Sequence, residues 1–163
     1  MTPVTQGDLA DYLVRFVEWA ERLAITVIDA DQLLLGQEPG GTLVVDLEAR
    51  LPARPRARAA ELQLFERWRP LAQHGLVRVE YKFEMRHHEM SYRRAFHHHD
   101  EEHFVRKYGV VTHEHCEATL GVTPCGHYFG YPVRDAFDAV TRLYDAWMSG
   151  AKPDCSALRC LEA

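Results

Sequence analysis

Nine of the ten histidines in this chain of 163 residues fall between His87 and His127, a density that makes coordination or proton shuttling the chemistry to consider. Residues i and i+2 of a strand share a face, so His97 with His99, and His113 with His115, are each presented as a pair. Neutral imidazole together with a carboxylate such as Asp100 is a donor set for zinc or another divalent transition metal. Three protein ligands would leave a position for an activated water, whereas four would close the site and make it structural. The chain has no His-Glu-x-x-His segment to favour a particular metal chemistry. A metal-free version uses the same residues: His97 or His99, beside Arg93 and Glu102, would serve as acid and base for phosphodiester cleavage. The catalytic candidates are therefore His97, His99, Asp100, His103 and Arg93, the last two orienting a substrate phosphate. A plainer reading is a wet sheet face, shared with Lys82, Glu84 and Arg86, on which histidines are tolerated.

The cysteines offer a second site. Cys116 follows His115, Cys125 precedes His127 by two, and Cys155 and Cys160 lie on an aperiodic tail. Zinc held by Cys116, Cys125, Cys155 and Cys160, or by three of them and His127, would pin the tail to the loop. The gaps are wider than those of Cys-x-x-Cys knuckles, and the alternative is four reduced cysteines. His115-Cys116-Glu117 with Pro124-Cys125 is not a zinc-deaminase signature, because six residues between Glu117 and Pro124 leave no room for the connections of that fold.

The elements that must position these residues follow from periodicity. Thr5 to Asp8 reads as an N-cap, and Leu9, Tyr12, Leu13, Phe16, Val17, Ala20 and Leu23 recur at helical spacing. Residues 24–28 and 42–47 read as strands, 50–58 as a connector and 59–68 as a helix. Residues 77–86 alternate apolar and charged, as a strand with one buried and one wet face requires. A turn at 87–90 returns the chain through 91–99, with Tyr92 and Phe96 on one face and Arg93, His97 and His99 on the other. Asp100 reads as the N-cap of a short helix ending at Gly109, residues 110–116 as a further strand, and Pro132 as the first residue of a C-terminal helix ending at Gly150. These give a single α+β domain over 1–163, an antiparallel sheet flanked by N-terminal and C-terminal helices, with 151–163 as a tail.

Charge limits the partners. Residues 1–49 carry a net −7 and the remainder +2, which excludes a broadly cationic nucleic-acid binder but permits a local basic patch. Residues 50–69 hold a net +4, read as a solvated connector and wet helix face, or as a place for RNA phosphates or an acidic partner. Without a 20-residue apolar run or a signal-peptide pattern, a cytoplasmic protein with no membrane contact is expected.

Tyr81-Lys82-Phe83 on one strand, Tyr92-Arg93-Arg94 through His99-Asp100 on the next, His103, and then His113-Glu114-His115 before a C-terminal helix resemble the order of motifs in TumE-type toxins of bacterial toxin–antitoxin modules. The likeness spans about residues 77–147, with Asp100, His103, His113 and His115 at matching positions. It departs at Glu101, where the family has asparagine, in the missing proline before His103, and in the longer spacing from arginine to Asp100. The resemblance implies a small cytoplasmic protein that acts on nucleic acid and is neutralised by an antitoxin-like partner. Together these readings make the expected function a zinc-dependent or His-dependent hydrolase, a toxin-like ribonuclease. The competing expectation is a non-catalytic interaction module stabilised by zinc.

Overall fold

The computed structural model describes residues 3–28, 35–71, 75–98, 102–109, 111–122, 127–130 and 132–161. Its elements in chain order are α1 (Gln6–Arg22), β1 (Thr26–Val27), β2 (Leu35–Gln37), β3 (Leu43–Leu51), β4 (Ala60–Leu71), β5 (Gly75–His87), β6 (Tyr92–His98), α2 (Glu102–Tyr108), β7 (Thr112–Glu117), β8 (Tyr128–Phe129) and α3 (Ala136–Met148). The strands form one antiparallel sheet in the order β1-β3-β4-β5-β6-β7-β8, with β2 also paired to β3. With α1 and α3 on one face of that sheet, the fold is α+β with the expected flanking helices.

The helices form where their caps and stripes place them. Thr5 caps α1 reciprocally: its Oγ1 accepts the Asp8 N–H at 3.1 Å and its own N–H donates to the Asp8 carboxylate at 2.8 Å. The buried face of α1, Leu9, Leu13, Phe16 and Ala20, meets Ala136, Ala139, Val140, Leu143 and Trp147 of α3 over the apolar side of the sheet. Phe137 joins the two helices edge-on to Tyr12 and Phe16, at 5.8 and 5.4 Å between ring centres. Helix α3 begins at Ala136 and not at Pro132, because Asp135 is its cap and accepts the Asp138 N–H.

The segment 59–68, read as a helix from its residue types, lies from residue 60 onward in the strand β4. Leu62, Leu64, Glu66 and Trp68 recur at a period of two, and β4 is hydrogen-bonded on both edges, to β3 and β5. Pairing on both sides overrides a helix propensity worth only tenths of a kcal/mol per residue. An irregularity at Arg67/Trp68 then breaks the alternation of β5: Trp68 stands opposite Arg78, and Arg78 turns into the apolar side. There it donates to the Glu66 carboxylate and to the Arg134 carbonyl, each at 2.6 Å, with its guanidinium 4.7 Å above the Tyr81 ring. Glu66 also accepts from Trp68 Nε1 and the Tyr12 hydroxyl, and that hydroxyl accepts the Ala136 N–H. Burial outweighs Arg78 and these hydrogen bonds, holding the Glu66 carboxyl above the usual carboxylate range.

One buried network thus ties α1, β4, β5 and the start of α3. Glu66→Ala should lower the unfolding free energy by about 3–5 kcal/mol, since it strands the Arg78 guanidinium. Glu66→Leu combined with Arg78→Met should recover most of the loss, as urea titration of the three proteins would measure. Equal losses in the single and double variants would contradict the assignment of the cost to a stranded charge.

Candidate metal centre

The face of the sheet away from α1 and α3 carries the candidate chemistry, and strand register brings it together. Across β5, β6, β7 and β8, Lys82 is opposite His97, His97 opposite His113, and His113 opposite Phe129. In the next rank Glu84, Ala95 and His115 align, and in the third Arg86, Arg93 and Glu117. The small Ala95, fully buried, separates Glu84 from His115.

His97, His113 and His115 are 7, 1 and 8% exposed, and one ring nitrogen from each lies within 4.8 Å of the others. Ring centres are 4.3 Å apart for His97 and His115, 5.3 Å for His97 and His113, and 5.1 Å for His113 and His115. A tetrahedral ion with bonds of about 2.0–2.1 Å needs donor atoms about 3.3 Å apart, a distance within reach of side-chain rotation. His127, just before β8, adds a fourth imidazole whose ring centre is 4.4 Å from His115 and 5.3 Å from His113. Burial first, then the charges of Arg93, His127 and His113, push the His115 imidazole down to about 2. It is therefore neutral near pH 7, the form that coordinates metal.

Arg93 lies beside this cluster and is held rigidly. It donates to Glu84 at 2.7 Å and to Glu117 at 2.9 Å, and its Nη1 is 3.5 Å from His115 Nδ1. Glu84 is 1% exposed and also pairs with Arg86 and, at 3.3 Å, with Lys82. The alternation of β5 had put Glu84 on a solvated face; the face is polar, but the neighbouring side chains bury this carboxylate. Glu84 and Glu117 are neighbours of the cluster that the histidine pattern does not reveal, because only register places them against Arg93.

The other expected site residues fall elsewhere. His103 is exposed on α2 and outside the cluster, and His99, Asp100 and Cys125 lie outside the described residues. His98 points to the opposite face, stacked on Tyr81 at 5.4 Å. Cys116 and Cys155 are not metal ligands: they are joined in a disulfide, with Cα atoms 5.5 Å apart, and Cys160 is disulfide-bonded as well. A bonded sulfur has no thiolate to give, so the tail is pinned covalently and not by zinc. The three cysteines pack with Tyr128 and Leu158 on the face opposite the histidines.

Set against known proteins, the chain matches no family model, no curated relative and no solved structure.

Burial alone would raise the Glu84 carboxyl. The hydrogen bond and charge of Arg93, the charge of Lys82 and the Arg86 hydrogen bond reverse this and hold it at about 2, below its ordinary 4.5. A depressed carboxylate stabilises the fold above about pH 4.5 and loses that contribution as pH falls toward 2. Glu84→Gln should therefore cost on the order of 3 kcal/mol at pH 7, with the gap to the parent protein closing between pH 4.5 and 2 in denaturant titrations. A gap independent of pH would contradict the role given to its charge.

Proposed function

We propose that His97, His113 and His115 hold a divalent transition metal, zinc by donor type, and that the protein is a metal-dependent hydrolase acting on phosphodiesters of RNA. The observation that carries this reading is the convergence of the three buried imidazoles on one point. Three histidine ligands are a recurrent donor set for hydrolytic zinc, which acidifies a bound water and supplies a nucleophile near neutral pH.

The polypeptide contributes orientation and charge. Strand pairing on both sides of β6 and β7 fixes the ligand backbones before any metal arrives, so little ordering is left to the binding step. Arg93, locked between Glu84 and Glu117, presents a cation on the same face, where an anionic substrate gains most from a charge that need not reorganise. The likeness to TumE-type toxins in residues 77–147 supports RNA as the substrate and an antitoxin-like protein as partner. His103 lies exposed on α2.

A second reading has its own support. With His127 the cluster can supply four imidazoles, the number that closes a zinc site and makes it a structural element of an interaction module.

Elemental mass spectrometry on the untagged protein should find one equivalent of metal, lost in His113→Ala and retained in His103→Ala. On a mixed-sequence RNA, His97→Ala should reduce hydrolysis by about a hundredfold or more with the sheet intact by circular dichroism. Absence of metal from the parent protein, or its retention in His113→Ala, would overturn the assignment; metal without hydrolysis would leave the structural reading.

A further inference from the structure

The rank of opposed residues that carries the cluster continues past β7. Phe129 of β8 stands directly opposite His113, and such pairs share a face, with Cβ atoms about 4.5–5.5 Å apart. Beyond β8 the tail adds one more rung: Tyr128 is bridged antiparallel to Cys160, and the Phe129 N–H donates to the Arg159 carbonyl at 2.9 Å. Arg159 therefore stands opposite Phe129, its guanidinium 4.7 Å from the centre of the ring. The Cys116–Cys155 disulfide fastens the tail in this place. Lys82, His97, His113, Phe129 and Arg159 thus follow one another across the polar face. Phe129 is 41% exposed, a ring left open to water at the border of that face. Arg159 is exposed as well and meets no carboxylate among the described residues, whereas Arg93, Arg86 and Lys82 are each paired with Glu84.

We infer that Phe129 and Arg159 form a nucleotide subsite beside the three histidines, taking an unpaired base on the ring and its phosphate on the guanidinium, so that the substrate is single-stranded RNA. This rests on the RNA reading above and names the form of RNA that the same site accepts. An aromatic ring offers a stacking surface to any base, and a guanidinium that no carboxylate neutralises is a bidentate partner for phosphate. A base inside a duplex is already stacked on both faces and has none to give, so the ring selects unpaired strands. Stacking does not distinguish one base from another, so the selection is by strandedness and not by sequence. The subsite lies one strand away from His113, which makes the nucleotide it holds a neighbour of the phosphate at the histidines. Both residues touch the substrate away from the reacting atoms, and what they contribute is affinity and the register of the strand against the cluster.

Fluorescence anisotropy tests this on the full chain, with a short labelled RNA of mixed sequence as single strand and as duplex. A chelator is present so that the RNA stays whole, and circular dichroism confirms that the sheet is intact. Phe129→Ala should weaken binding of the single strand about tenfold, Phe129→Leu by a similar factor, and Phe129→Trp not at all, with duplex binding the same in all three. Arg159→Gln should weaken it too and lower the slope of log affinity against log salt by about 0.7, the share of one phosphate on a single strand. Arg134→Gln, which removes an equal charge from an exposed position at the start of α3, should leave the affinity within about twofold of the parent. No binding by the parent, undiminished binding by Phe129→Ala, or equal losses for single strand and duplex would overturn the subsite. Full binding by Phe129→Leu would overturn the stacking, even where Phe129→Ala fails to fold. Metal content and affinity are read separately: a protein that holds metal and cleaves RNA, yet binds as tightly with Phe129→Ala, would remove the subsite alone. The expected losses in a protein that holds no metal would uphold the subsite and remove the metal reading.

Discussion

A side chain on a strand has two directions open to it, and the long strands β3 to β6, joined by β7, hold that choice along most of their length. Everything else depends on this segregation. One face collects Leu, Val, Phe and Ala and is covered by α1 and α3, which supplies the burial that stabilises the fold. The other collects Lys82, Glu84, Arg86, Arg93, His97, His113, His115 and Glu117, among which Arg93 pairs with both Glu84 and Glu117. A slip of one residue of β7 against β6 would turn His113 and His115 to the apolar face and Cys116 away from it.

Much of this was legible in the sequence, and the parts that were not have identifiable causes. The alternation over 80–86, the return through Tyr92 and Phe96, and the stripes of both helices depend on local periodicity, and the fold follows them. Residues 59–68 went astray because their propensity is helical while the two pairings that decide the matter are non-local. Arg78 became a core residue through a one-residue irregularity that no pattern of types announces. Within the candidate site, His97, His113 and His115 stood out by spacing. The alignment of His127 with them and of Glu84 and Glu117 with Arg93 needed register, which pairs residues distant in sequence. The cysteines gave their number but not their bonding: disulfide and zinc clamp make the same demand, that the tail lie on the sheet.

The histidine cluster and the Arg93 network are neighbours with opposite requirements. Coordination needs neutral imidazoles, and the nearby guanidinium, after burial, favours that form of His115 by opposing its protonation. The guanidinium in turn would be costly to bury alone, and Glu84 and Glu117 supply the compensating charge. The site is thus balanced before any ion binds, which is the condition for a metal to add to a pre-formed face without remodelling it.

Anomalous diffraction at the zinc absorption edge, from crystals of the protein purified without chelator, tests the central claim most directly. The account predicts one peak on the polar face, bonded at about 2.0–2.1 Å to nitrogens of His97, His113 and His115. A map with no peak there, or with zinc on other residues, would contradict it.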